Sequence, residues 1–249
     1  MDLNQKYILH LADNGLILGQ RLGEWCGHGP VLEQDIALTN ISLDLIGQAR
    51  LLYQRAAEFS EYGTTEDDLA FLRKEHEYFN CLLVEQPNGD FAQTIARQFF
   101  YDAFHFLNLE RLSNSNDEQL AAIAVKSLKE VKYHLKFSSD WVLRLGDGTE
   151  ESHQRMQKAI RFLWKYTGEL FEPTDYEIHA EELGVCPGNQ DMKANWEQKV
   201  TAVLKEATLV VPDEPWMQSG GKKGVHTEHM GFILSELQYM QHTYPGVKW

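Results

Sequence analysis

The chain has 249 residues, 43% of them apolar and 24% charged, enough apolar material for one large or two small cores and an ordinary share of charge for a folded protein. A formal net charge of −14 argues against nucleic acid and anionic membrane surfaces as partners, because both reward Lys and Arg. Nothing approaches the ~18 apolar residues of a membrane span, residues 1–6 lack the basic start of a signal peptide, and Cys26, Cys81 and Cys186 lie too far apart for zinc or disulfide spacing, so the expected compartment is a reducing cytoplasm.

Helical periodicity runs through nearly the whole chain. A first helix is predicted over 3–25, with Leu3, Tyr7, Leu11, Leu18, Leu22 and Trp25 on one stripe. Gly27-His28-Gly29-Pro30 ends it, and a long second helix follows over 31–60 through Leu32, Ile36, Leu43, Leu51 and Leu52. Thr65 is placed to cap a third helix that runs to about Val84, with Glu66, Asp67 and Asp68 in its first turn. The turn Pro87-Asn88-Gly89-Asp90 leads into a helix over 91–112, and Ser113-Asn114-Ser115-Asn116 leads into another over 117–145. Further helices are predicted over 150–172, 190–210 and 226–243, with a mixed stretch at 174–190 and a Gly-rich loop at 220–224. Strand alternation is not evident, and no linker marks a boundary. The expectation is a single all-α domain.

Short connections make the first two long helices antiparallel neighbours, and likewise the pair flanking Ser115. Residues equally distant from a turn then share a height. Asp13 lies about 14 residues before Gly27, with Leu45 and Gln48 about 18 and 21 after it. Asp102 lies about 13 before Ser115, with Val131 and His134 about 16 and 19 after it. In a ferritin-like di-iron bundle these places carry an acid on each first helix and Glu-x-x-His on each second helix. Here Leu45 and Val131 stand where carboxylates belong, and Gln48 stands where an imidazole belongs. Leu and Val bind no metal, and Gln is a poor ligand for iron. Asp44 and Glu130 lie one residue away, but one residue turns a helical side chain by roughly 100°. Two readings stay open from spacing alone: solvated or core-polar side chains, and a former metal site.

Other features carry weaker signals. His226 and His229 stand one turn apart without a third matched ligand, so metal binding competes with simple polar contacts. Lys222 and Lys223 precede a helix start and suit either an anion or partner contact or an ordinary solvated loop. Cys26 beside His28 lacks an orienting acid for a nucleophile pair. The six tryptophans, at 25, 141, 164, 196, 216 and 249, fall mostly on apolar helical faces and are assigned to packing.

Several stretches together resemble a known family. They are Gln20-Arg21-Leu22-Gly23-Glu24-Trp25-Cys26-Gly27-His28, Leu43-Asp44-Leu45-Ile46-Gly47-Gln48-Ala49-Arg50, Leu83-Val84-Glu85-Gln86-Pro87-Asn88-Gly89, Tyr133-His134-Leu135-Lys136-Phe137-Ser138, Glu206-Ala207-Thr208-Leu209, and Gly220 to Gly224 with His226-Thr227-Glu228-His229. In order along the whole chain they resemble the non-catalytic C-type subunits of ring 1,2-phenylacetyl-CoA epoxidases, which are multicomponent monooxygenases.

The resemblance implies a ferritin-like helical bundle with additional C-terminal helices, acting as a structural partner rather than a catalyst. It implies a catalytic subunit of the same fold that holds the di-iron centre and phenylacetyl-CoA, a small bridging subunit, and an iron–sulfur flavoprotein reductase fed by NADPH. It implies no cofactor in this chain, with Asp13, Leu45, Gln48, Asp102, Val131 and His134 as vestigial positions. The rival reading is a metal-dependent oxidase with an atypical di-metal site drawn from Asp13, Asp102, Glu130 and His134. A third is a scaffold that holds CoA through Lys222 and Lys223.

Overall fold

The computed structural model describes residues 2–60, 62–188, 191–213 and 215–247, so Trp249 lies outside the described residues. The α-helices are α1 (Leu3–Gly23), α2 (Leu32–Ala57), α3 (Glu66–Phe71), α4 (Leu82–Glu85), α5 (Phe91–Leu112), α6 (Glu118–Gly146), α7 (Glu150–Trp164), α8 (Asp175–Glu182), α9 (Met192–Glu206), α10 (Glu228–Leu237) and α11 (Tyr239–Thr243). Short 3₁₀ turns lie at Glu75–Glu77, Gly168–Phe171 and Gly221–Lys223. No strand occurs among the described residues, and the class is all-α as expected. Among those residues no helix is long and apolar enough to cross a membrane.

The contacts divide the chain into two units, each with its own core. Unit 1 comprises residues up to Glu85, Thr174–Ala180 and the chain from Gly220. Unit 2 comprises Gln86–Pro173 and Glu181–Ser219. Each contains one long helical hairpin, α1 with α2 and α5 with α6, the kind of element from which ferritin-like bundles are built.

In unit 1 the hairpin is close because α1 has no side chain where α2 crosses it. A Cβ on Gly19 would sit 2.8 Å from Ile46 Cγ1 and 3.2 Å from the Ser42 carbonyl. Ser42 Oγ uses that proximity to donate to the Gly19 carbonyl at 2.7 Å. In unit 2 the starts of α5 and α6 are fixed by Asp90, which accepts from Gln93 N at 2.9 Å, and by Asp117, which accepts from Leu120 N at 3.0 Å. An aromatic cluster fills its core. Phe100 meets Trp164 at 5.7 Å and Trp196 at 5.9 Å, and the Trp196 indole donates to the Phe100 carbonyl at 3.0 Å.

Three predicted helices are interrupted, two of them where backbone groups find other partners. The continuous helix expected from 66 to 84 is instead α3, a 3₁₀ turn, an extended link and α4. Thr65 does cap α3 as expected, and with Asp68 it forms a capping box. Beyond Arg73, however, Phe79 N donates to Asp13 Oδ2 at 2.8 Å and Cys81 N to Asn14 Oδ1 at 2.9 Å. Side chains of α1 thus take the amide hydrogens that a helix would spend on its own carbonyls. The helix expected to 172 stops at Trp164, and the Lys165 carbonyl accepts from Gln218 N at 2.7 Å. The helix expected over 226–243 begins at Glu228 and breaks at Gln238, whose amide donates to the Arg73 carbonyl at 2.8 Å and to Tyr78 Oη at 3.0 Å.

The Gly-rich loop is packed rather than open. Gly224 has φ +79°, and a Cβ there would overlap the His76 carbonyl. Gly224→Ala should therefore destabilise the chain by more than ~1 kcal/mol, measured by urea unfolding. A solvated loop would tolerate it within ~0.5 kcal/mol.

Candidate functional site

The six positions singled out in the sequence fall on the inner faces of the two hairpins, three in each unit. All are buried: Asp13, Leu45, Asp102, Val131 and His134 at 0% exposure and Gln48 at 5%. Asp44 and Glu130 are only half-buried, as the roughly 100° turn between neighbours requires.

In unit 1, Asp13 is enclosed by donors from this chain. Arg73 meets it with both terminal nitrogens, Nη2 on Oδ1 and Nη1 on Oδ2 at 3.1 Å. Tyr53 Oη donates to Oδ1 at 2.6 Å, and Phe79 N donates to Oδ2 at 2.8 Å. Arg73 has its own further partners, the Leu69 carbonyl and, at 2.6 Å, the Glu77 carbonyl. Its guanidinium also lies 4.1 Å from the centre of the Tyr78 ring. Burial pushes the Tyr53 hydroxyl well above its usual range, and the Asp13 charge pushes it further. Burial likewise raises Tyr78, to about 12. Both phenols stay neutral and serve as donors. Burial alone would lower Arg73, but the Asp13 carboxylate outweighs it and holds the guanidinium charged. A buried carboxylate is tolerated only when paired and fully hydrogen-bonded, and that condition is met here without a metal.

In unit 2 the acid is held by neutral groups. Asp102 Oδ1 accepts from Gln98 Nε2 at 2.6 Å, and Oδ2 accepts from Ser138 Oγ at 2.7 Å. Burial pushes its carboxyl up to about 8, against the opposing pull of the Ser138 and Gln98 hydrogen bonds. It is therefore a neutral acid at pH 7. Burial also drives His105, one turn beyond Asp102 on α5, down to about 3, with a contribution from His134. His105 stacks on Tyr101 with ring centres 5.3 Å apart. The pocket thus keeps its acid protonated and His105 deprotonated, so both enter the core uncharged.

These donors do not fit a carboxylate-bridged di-iron pair. Such a pair needs about four carboxylates and two imidazoles. At the six positions unit 1 offers one carboxylate, held by an arginine, and unit 2 offers one protonated acid and one imidazole, His134. Among the described residues no three His, Cys, Asp or Glu side chains converge in a way that could hold a metal ion.

Two more polar clusters in unit 1 account for the remaining candidates. Glu85 is fully buried and accepts from Thr227 N at 2.6 Å, Thr227 Oγ1 at 2.7 Å and Asn80 Nδ2 at 3.0 Å, and it pairs with His226 Nδ1 at 2.8 Å. Burial lowers His226, but the Glu85 hydrogen bond and charge raise it above its usual value overall. His226 precedes α10 and is committed to Glu85, so it does not form a helical pair with His229. Lys222 is likewise not on open surface. It is 3% exposed and pairs with Glu177 Oε2 at 2.7 Å, while Tyr176 Oη donates to its carbonyl at 2.9 Å. That placement corrects the reading of Lys222 as an anion contact or part of a solvated loop. Lys223 is exposed, and so is Cys26, whose neighbour His28 contacts the Cys26 carbonyl rather than its thiol.

Sequence reasoning missed Arg73, Tyr53, His105 and the Glu85–His226 pair. Only His105 gave a local signal, since Asp102-x-x-His105 has the acid-x-x-His spacing on α5 itself. The others find partners 20 to 141 residues away.

The two acids should respond to substitution in opposite ways. Arg73→Ala leaves Asp13 buried without its cation and should cost ~3–5 kcal/mol. Adding Asp13→Asn should recover much of that loss, read as a coupling in a double-mutant cycle of urea unfolding. For Asp102 the folded pKa lies above the unfolded one, so the native state binds the extra proton between about 4 and about 8. Stability contributed by this group is therefore full at acid pH and lost as pH rises towards about 8. Asp102→Asn should flatten that alkaline decline in plots of Tm against pH and should not destabilise the chain at pH 8.

Known proteins share this sequence along its length. Residues 2–249 match the family described as phenylacetic acid catabolic protein. The chain is 54% identical over 243 residues, 98% of each chain, to the C-type subunit of 1,2-phenylacetyl-CoA epoxidase from Escherichia coli strain K12. With that match over essentially its whole length, the chain belongs to the phenylacetic acid catabolic protein family.

Proposed function

We propose that this chain is the non-catalytic structural subunit of a 1,2-phenylacetyl-CoA epoxidase, acting in aerobic phenylacetate breakdown. It pairs with a di-iron catalytic subunit of the same ferritin-like fold and holds that subunit's helices in register. The observation that carries the reading is the state of the metal positions. Leu45 and Val131 are buried apolar side chains, Asp13 is closed by Arg73, and Asp102 is a neutral acid. The 54% identity to the C-type subunit of an epoxidase gives that loss a context. The iron belongs to the partner, and the remaining components are a small bridging subunit and an iron–sulfur flavoprotein reductase. The complex works in the cytoplasm.

This chain's own chemistry in that role is positional. Its buried ion pairs fix the ends and crossings of helices and leave the outer faces for partner contacts. The rival, an oxidase built on Asp13, Asp102, Glu130 and His134, would need Arg73 withdrawn from Asp13 and the proton removed from Asp102. Glu130 is also only half-buried. The CoA-scaffold reading would need the buried Lys222–Glu177 pair opened.

Coexpression with a tagged catalytic subunit tests the proposal. The two chains should copurify in equal amounts, and the complex should melt at a higher temperature than this chain alone. Epoxidation of phenylacetyl-CoA by the reconstituted complex should fall away when this chain is left out. An isolated chain that stays monomeric, gains no thermal stability from the catalytic subunit and leaves its turnover unchanged contradicts the reading.

A further inference from the structure

We infer that the outward face of α2, formed by Leu32, Ile36 and Leu43, edged by Ile46 and extended by Val31, is the docking ridge for the catalytic subunit; this deepens the proposed function and rests on it. The helix is apolar on both sides. Its inner face buries Leu38, Ile41, Leu45, Ala49 and Leu52, while Leu32 is 70% exposed, Leu43 62%, Val31 53% and Ile36 51%, and Ile46, at the edge against Gly19 of α1, 38%. The outer residues recur at helical spacing over Leu32 to Ile46, a ridge ~21 Å long.

Together the five side chains leave on the order of 500 Å² of apolar surface exposed, near the upper limit of the largest patch on a typical monomer. That is more than half of the ~800 Å² per partner that a stable interface buries. The shape selects the kind of partner. A straight convex ridge cannot enclose a small molecule, but it fits the groove between two helices of another protein. Gly47 lies at the end of the ridge, and a Cβ built there meets nothing within 4 Å, so a partner helix can come close to the backbone. Charge disfavours a second copy of this chain as that partner. Glu33 and Asp44 flank one side of the ridge, and a self-pair would bring those acids and two net charges of −14 together.

The test uses the full chain and the tagged catalytic subunit. Binding of the wild type tests the broader reading, and without it both ideas fall. Given that binding, Ile36→Glu with Leu43→Glu should weaken it at least ~30-fold. The isolated variant should keep the wild-type circular dichroism and melting temperature, because both side chains are already exposed. Phe232→Glu, on the exposed face of α10 at 67% exposure, should leave affinity unchanged. Binding of the α2 variant within ~3-fold of wild type overturns the inference while leaving the broader reading intact. So does loss of binding with Phe232→Glu alone. A wild-type chain that self-associates through α2, with the α2 substitutions abolishing self-association and sparing the heterodimer, also overturns it.

Discussion

A carboxylate buried at 0% exposure must be neutralised, and in unit 1 the chain neutralises Asp13 with Arg73. Much of the local architecture depends on that pair. Arg73 must reach inward from just past α3, so the backbone there cannot continue as a surface helix. Phe79 and Cys81 then give their amide hydrogens to Asp13 and Asn14, which ties the link between α3 and α4 to α1. The Gln238 side chain fastens onto the Arg73 carbonyl and Tyr78, which ties the junction of α10 and α11 to this place. The next charge along, Glu85, is satisfied by His226 and Thr227 at the start of the C-terminal helices.

Unit 2 solves the same problem by the opposite route. Asp102 is met by an amide and a hydroxyl rather than a guanidinium, and burial makes the neutral acid the stable form against those two hydrogen bonds. His105 is kept deprotonated by the same burial. One unit thus meets its acid with an arginine, the neutral Tyr53 phenol and a backbone amide, and the other holds a proton. Both solutions leave these centres uncharged overall, which is the condition for packing helices closely without a metal ion.

The long helices were legible in the sequence because a stripe of apolar residues at 3.6-residue spacing depends only on local order. The ends of α1, α2, α5 and α6 fall within a few residues of expectation for that reason. The burial of the six positions on the two hairpins was legible too, since hairpins with short turns convert distance from the turn into height. The interruption after α3 was not legible. Residues 66–84 have helical spacing, and what breaks them is a side chain some 60 residues earlier in the chain. Lys222 shows the same limit: two lysines in a glycine loop look solvated until Glu177 and Tyr176 are brought beside them. His105 is the exception, because its spacing from Asp102 was open to inspection.

The Asp13 and Asp102 carboxyls are held by this chain's own donors, and the residues at the six positions do not fit a di-iron pair. Iron content of the purified chain, after iron-replete expression and anaerobic addition of ferrous ion, tests that claim most directly. No stoichiometric iron is expected before or after ferrous addition. About two irons per chain, lost when His134 is replaced by Ala, would contradict it and make this chain an oxidase in its own right.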